Sequence, residues 1–184
     1  MCSQDCIHMT ERTRIDDAIR RFDEANSHDP NIETVNGQAQ PRELAHAAWL
    51  TNWVLRLKPD ASEALRLAAR CQHIYRWKIP RNSYPMTKPG YLQWRAELKK
   101  FHAQKAGEIL QEAGYDDATI LRVQELNLKK NIATDAECQT LEDALCLLFL
   151  EHQLAPLAAR SEDEEMINAL QKSWKKMSPQ GRAE

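Results

Sequence analysis

Three of the six histidines in this 184-residue chain sit where an imidazole could do chemistry. His46 shares a helical face with Trp49, Leu50 and Trp53, and His102 shares one with Leu98, Ala106 and Ile109. His73 has Ala69 and Trp77 four residues to either side and Arg70 and Arg76 three to either side, so it borders both apolar and basic surroundings. Asp143 lies in the run 141–150, which is apolar all round after Glu142 and Asp143; such a helix is central and buried. A buried, unpaired carboxylate costs several kcal/mol (about that much even after relaxation) and therefore needs a cation, either a metal or an arginine. Each histidine taken singly has a plain alternative, a core ring satisfied by its neighbours. Three of them with a core aspartate, on four separate helices, point instead to a divalent transition metal (Mn, Fe, Co, Ni or Zn), whose sites use imidazole and carboxylate. His8, His28 and His152 lie in polar or terminal contexts and are left aside.

The charge is uneven. Residues 66–105 hold ten Lys or Arg against one acid, Glu97, a local sum of +9 within a chain of net charge −2. A basic strip inside a mildly acidic protein faces an anionic ligand or an acidic surface of the same molecule. Arg70 and Arg76 flank His73; Arg81, Lys88 and Arg95 follow, with Lys129 and Lys130 further on. Tyr84, Tyr91 and Trp94 could stack on a base or ribose. The expected substrate-binding set is Arg70, Arg76, Arg81, Tyr84, Lys88, Arg95 and Lys129.

The elements that must position these residues read as helices almost throughout. Amphipathic spacing predicts helices over 13–25, 42–58, 62–77, 90–113, 117–130, 134–153 and from 161 onward, about seven in all. Pro41 suits a first helical turn, Gly114 a helix end, and Thr134-x-x-Glu137 and Ser161-x-x-Glu164 are capping boxes. Residues 26–41 read as a loop, and no alternating strand run is evident. The expected fold class is all-α, with one domain over 1–184 and a loose N-terminal tail over 1–12. The stretch 78–89 reads as a dozen-residue loop carrying Arg81, Tyr84 and Lys88, placed to close over an anion.

Composition narrows the setting. No stretch approaches the roughly 20 apolar residues of a membrane span, and residues 1–14 lack the apolar run of a secretory signal. Five unpaired cysteines suit a reducing compartment, so a cytoplasmic location is expected. Cys2, Cys6 and His8 could in principle ligate a metal, but a frayed tail is the simpler reading. The net charge speaks against a protein that coats nucleic acid.

The order His46, then 27 residues to His73, 29 to His102 and 41 to Asp143, resembles the HD-domain superfamily of metal-dependent phosphohydrolases. Arg42-Glu-Leu-Ala-His46 is similar to the helix bearing that family's first histidine. Leu67-Ala-Ala-Arg-Cys-Gln-His-Ile74 is similar to the helix with its adjacent His-Asp pair, and Leu141-Glu-Asp-Ala-Leu145 to its final aspartate helix. The segment 101–114 is close to one that carries an extra histidine in several subfamilies. The strings Gln-His-Ile-Tyr-Arg-Trp and Gly-Tyr-Leu-Gln-Trp-Arg look like those of a divergent family of small all-helical proteins. The likeness covers about residues 42–151 and implies an HD-like helical bundle.

It also implies a mononuclear metal site of His46, His73 and Asp143, with His102 as a fourth ligand or as an acid beside it. Glu142 would be a helix-surface acid or, by loose analogy with hydrolases of guanosine tetraphosphate, a proton acceptor. One departure stands out: where the family has His-Asp, this chain has Gln72-His73. The implied function is metal-dependent hydrolysis of a small phosphorylated metabolite, a nucleoside monophosphate, guanosine polyphosphate, dinucleotide or nucleotide phosphosulfate. The alternative is a metal-free, catalytically inactive HD-like module that binds a nucleotide or a protein.

Overall fold

The computed structural model describes residues 13–159 and 161–184. The expected loose tail, with Cys2, Cys6 and His8, lies outside the described residues. Helix α1 (Arg14–Ser27) begins with a full capping box between Thr13 and Asp16. An antiparallel hairpin follows, β1 (Ile32–Val35) with β2 (Gln38–Pro41), then α2 (Arg42–Leu57) and α3 (Glu63–Cys71). Two short 3-10 turns, Arg76–Lys78 and Arg81–Ser83, lead to the long α4 (Lys88–Glu112). The chain continues with α5 (Asp117–Leu128), α6 (Ala136–Leu148), α7 (Leu154–Ala158), α8 (Asp163–Lys176) and α9 (Pro179–Ala183). The fold class is all-α. No helix among the described residues is long and apolar enough to cross a membrane.

Helix α2 is the hub, packed between α3 and α6, with α1 across it and α4 lying along α5. Its Leu50 and Val54 join Phe22 of α1, Leu65 and Leu67 of α3, Leu110 of α4, Val123 and Leu126 of α5, and Leu141 and Leu148 of α6 in one fully buried core. Full burial of such side chains contributes about 1.5–3 kcal/mol each relative to exposure, which sets the relative placement of the helices.

The structure departs from the sequence expectation in three places that matter for the site. First, residues 32–41 form the hairpin rather than a loop. Its turn, Asn36-Gly37, has both residues at positive φ (51° and 79°), the conformation Asn-Gly adopts most readily. Just before it, Asp29, 4% exposed, takes hydrogen bonds from both Asn31 nitrogens and from the backbone N–H of Glu43. Pro41 has no capping side chain, so Asp29 serves the start of α2 from fourteen residues upstream.

Second, α3 stops at Cys71 rather than continuing to residue 77, and Tyr75 takes the left-handed conformation (φ 55°). His73 therefore lies in the reversal after α3. Third, the helix expected over 134–153 is α6 followed by one π-helical turn, Phe149–Gln153. Such turns recur at functional sites because they re-aim side chains inside a helix.

The connector 78–89 is tied to itself and to α4. Arg81 donates to the carbonyls of Tyr84, Pro85 and Thr87, and the Tyr84 hydroxyl donates to Glu97. Gly90 is fixed by close approach: a Cβ there would lie 2.2 Å from the Pro85 carbonyl oxygen. The loop is thus a folded strap, with Lys88 exposed at the first turn of α4.

Candidate metal and anion site

Glu43 and His46 occupy the first turns of α2, three residues apart and so on one helical face. The reversal after α3 brings His73 to them. One potential ligand atom from each of Glu43, His46 and His73 lies within 4.8 Å of the others, and the three could hold a metal ion. The His73 Nδ1 is 3.4 Å from the Glu43 Oε2, and the His46 and His73 rings stack at 4.2 Å. Ligand atoms around one transition metal at 2.0–2.2 Å sit at most about 4.4 Å apart, so small side-chain shifts would suffice.

The state of these groups suits ligation. Burial lowers the pKa of His46 to about 3 and, with the Arg76 charge, that of His73 well below its ordinary value, so both imidazoles are neutral at pH 7. Burial raises the Glu43 carboxyl, against the pull of His46 and Arg76. The Glu43 Oε2 is buried without a hydrogen-bond partner among the described residues, a costly arrangement that a cation would relieve.

His102 stands beside this group, its ring 5.8 Å from that of His73. Its Nδ1 lies 2.7 Å from the Ile74 carbonyl, which can only accept, so Nδ1 carries the proton. The Nε2 then keeps its lone pair, and it is buried without a partner among the described residues. A ring that donates its far N–H to a backbone carbonyl is the usual arrangement of a metal-ligating histidine. Burial lowers the His102 pKa to about 4.

His46, His73 and His102 line part of a cavity of about 250 Å³. Arg76, Arg95, Lys99, Lys129 and Lys176 line it as well, together with Gln72, Glu142 and Tyr91. Arg76 comes within 3.8 Å of Glu43 and lies over the Trp94 ring. Lys129 caps α5 in the left-handed conformation (φ 57°), which is costly for a residue with a Cβ, and its ammonium reaches Glu142. Lys176 approaches the same carboxylate at 3.3 Å. Burial raises the Glu142 carboxyl, but Lys129 and Lys176 outweigh it and hold it below the usual carboxylate range. Cys146 also lines the cavity, its thiol pushed up to about 11 by burial, so it supplies no thiolate at neutral pH.

Of the residues expected from the sequence, His46, His73, His102, Arg76, Arg95, Lys129 and Glu142 converge on this cavity. Arg70 does not: it makes a bidentate pair with Asp23 of α1 at 2.6 and 2.7 Å. Arg81, Tyr84 and Lys88 belong to the strap and its exposed edge, for the reasons given above.

Asp143 is not in the metal-capable group. Its carboxylate takes hydrogen bonds from the Gln139 side chain and from the Ser178 N–H and hydroxyl, which starts α9. Glu142 and Asp143 are adjacent on α6 and point about 100° apart, so one faces the cavity and the other the C-terminal helix. Gly181 packs onto Asp143 so closely that a Cβ would lie 2.7 Å from its Cγ. Gly181→Ala is therefore expected to displace α9 and cost about 1–3 kcal/mol, read as a lower midpoint in denaturant, with the metal content unchanged.

The sequence reading missed Glu43, Lys99 and Lys176. Glu43 was visible as the start of a Glu-x-x-His pair on one helical face, and Lys99 as the residue four after Arg95 and three before His102. Lys176 arrives only through the tertiary path of α8.

No curated protein and no solved structure matches the chain. Residues 16–184 match the family model described as "Domain of unknown function (DUF4202)", and with nearly its whole length covered the chain belongs to that family.

Proposed function

We propose that the chain is a metal-dependent phosphohydrolase acting on a small phosphorylated metabolite, a nucleotide or close relative. The observation that carries this reading is the junction of two features: His46 and His73 of the Glu43–His46–His73 group line the same cavity as five cations. The resemblance to the HD-domain superfamily supports it. Glu43, His46 and His73 would hold a divalent transition metal, with the His102 Nε2 free to complete the set or to act beside it. When bound, such a metal lowers the pKa of its water towards about 7 and draws charge from a phosphoryl oxygen.

The protein's own groups divide the remaining work. Arg76 and Arg95 neutralise charge on non-bridging oxygens, Arg76 from a position held by Glu43 and the Trp94 ring, which avoids reorganisation at the moment of reaction. If His102 is not ligated, its Nε2 can take a proton from an attacking water. Glu142 is a weaker proton acceptor, since Lys129 and Lys176 stabilise its charged form. Tyr91 offers a ring at the cavity for a base or ribose.

The test is elemental analysis of the purified chain followed by assay on a panel of phosphate esters with added Mn²⁺, Co²⁺ or Fe²⁺, before and after chelation. Bound metal with chelator-sensitive hydrolysis is expected. A chain that binds none of these metals and hydrolyses nothing would refute it. A second reading, a metal-free binding module, draws on the Arg76 contact to Glu43, which gives that carboxylate a counter-charge from within the protein. The same analysis separates the two.

A further inference from the structure

The cations of the cavity outnumber their counter-charges. Arg76 has Glu43 as its partner, and Lys129 and Lys176 share the single carboxylate of Glu142. Arg95 and Lys99 make no ion pair among the described residues, although both are only half-exposed and both line the cavity. Five cations thus meet two carboxylates, leaving three positive charges uncompensated before any metal is added. The crowding is tight enough that burial, then the charges of Lys129 and Arg95, lower the Lys99 pKa. A solvated surface would spread such charges apart. Here three helices converge them: Arg95 and Lys99 from successive turns of α4, Lys129 from the strained cap of α5, and Lys176 from the end of α8.

A single phosphate monoester carries about −1.5 to −2, which leaves this excess unmatched even without a metal, while two phosphoryl groups carry about −3 to −4. We propose that the cavity takes a ligand with two phosphoryl groups, one beside Arg76 and the Glu43–His46–His73 group, the other on Arg95, Lys99 and Lys129. This rests on the phosphate reading of the cavity given above, but not on hydrolysis. In such a complex Lys129 turns part of its interaction from Glu142 to the ligand, and Lys176 keeps the Glu142 charge compensated. Arg95 and Lys99 gain the anionic partner that the described residues do not supply.

The experiment is calorimetric titration of the intact chain, dialysed free of metal, with inorganic pyrophosphate and separately with inorganic phosphate at matched ionic strength. Pyrophosphate is expected to bind one per chain and at least about tenfold more tightly than phosphate, the gain of one added charge-assisted contact set. Arg95→Gln and Lys99→Gln should each weaken pyrophosphate about tenfold and phosphate much less. Lys105→Gln removes the same charge from a residue paired with Glu108, outside the cavity lining, and should leave both affinities unchanged. Equal affinity for the two anions would overturn the proposal, as would equal losses in all three variants, which would mean diffuse attraction. A chain that prefers pyrophosphate but hydrolyses nothing would refute the hydrolase reading alone. One that hydrolyses a monophosphate ester without that preference would refute the two-phosphate proposal alone.

Discussion

A His73→Ala chain is expected to lose bound metal and phosphate-ester hydrolysis together while remaining folded. Glu43 and His46 come from a single turn of α2, and His73 is the member of the group supplied from elsewhere in the fold. Without it, only Glu43 and His46 on one helical face, with at most His102, would hold a metal. Loss of a residue that merely orients a ligand weakens metal binding about 10–100-fold, so loss of a ligand itself should exceed about 100-fold. Arg76→Ala should behave differently: metal stays, because no ligand is removed, and turnover falls by about 10²-fold or more, as when one preorganised donor to a developing charge is deleted. Asp143→Asn completes the set. Its carboxylate is engaged by Gln139 and Ser178, so the variant should keep its metal and lose stability instead, by about 1–3 kcal/mol. Elemental analysis, single-turnover hydrolysis and circular dichroism on the three proteins read all of this. Full metal occupancy in folded His73→Ala would remove His73 from the ligand set.

The contrast between Asp143 and Glu142 shows where the sequence is legible. That Asp143 is buried and needs strong partners follows from its place in an apolar helix, and it is 3% exposed. Its partners turn out to be neutral donors, the Ser178 N–H and hydroxyl and the Gln139 amide, because the chain beyond α8 folds back onto α6. Nothing local in the sequence states that path, although Ser178-Pro179 does announce a helix start. Glu142 reads as a surface acid beside Asp143, yet it is 4% exposed, because Lys129 and Lys176 close over it from two other helices.

Helix boundaries were legible where the chain carries its own punctuation. Gly114, at φ 79°, follows the end of α4, and Asp116 caps α5. Where punctuation is absent the reading overran. Between Cys71 and Pro80 no glycine or proline marks the end of α3, so helical periodicity runs on through Trp77. The reversal there rests on the buried Ile74, the left-handed Tyr75 and the His102 contact to the Ile74 carbonyl, and two of these are tertiary. The hairpin is the opposite case: Asn36-Gly37 is a strong local signal, but four-residue strands are too short to show alternation around it.

The burial that keeps the site's histidine rings neutral also makes the fold acid-labile. His46 and His102 are 5% and 3% exposed, and burial is the first cause lowering their pKa values from 6.5 to about 3 and about 4. An unfolded chain takes protons on both rings below about pH 6.5, whereas the folded protein keeps them neutral. Stability is therefore complete above that value and lost as pH falls towards the folded pKa values, by about 1.4 kcal/mol per pH unit for each ring. At about pH 4.5 the two together remove about 5 kcal/mol, comparable to the whole stability of many domains. His73 acts in the same direction. The groups facing them modify the slope. Glu43, whose carboxyl is raised, binds its proton earlier in the folded state and offsets part of the loss. Arg76 and Arg95 keep their charge throughout and continue to oppose protonation of His73 and His102. Denaturant titrations of the metal-free chain between pH 7.5 and 4.5 should show the midpoint falling steeply below about pH 6.5. Metal at 100 times its dissociation constant should restore about 2.7 kcal/mol near neutral pH, and progressively less on acidification as protons compete for the same nitrogens. A midpoint that stays level from pH 7 down to about pH 5 would mean that these rings accept protons in the folded state, and would overturn the buried, neutral imidazoles on which metal ligation rests.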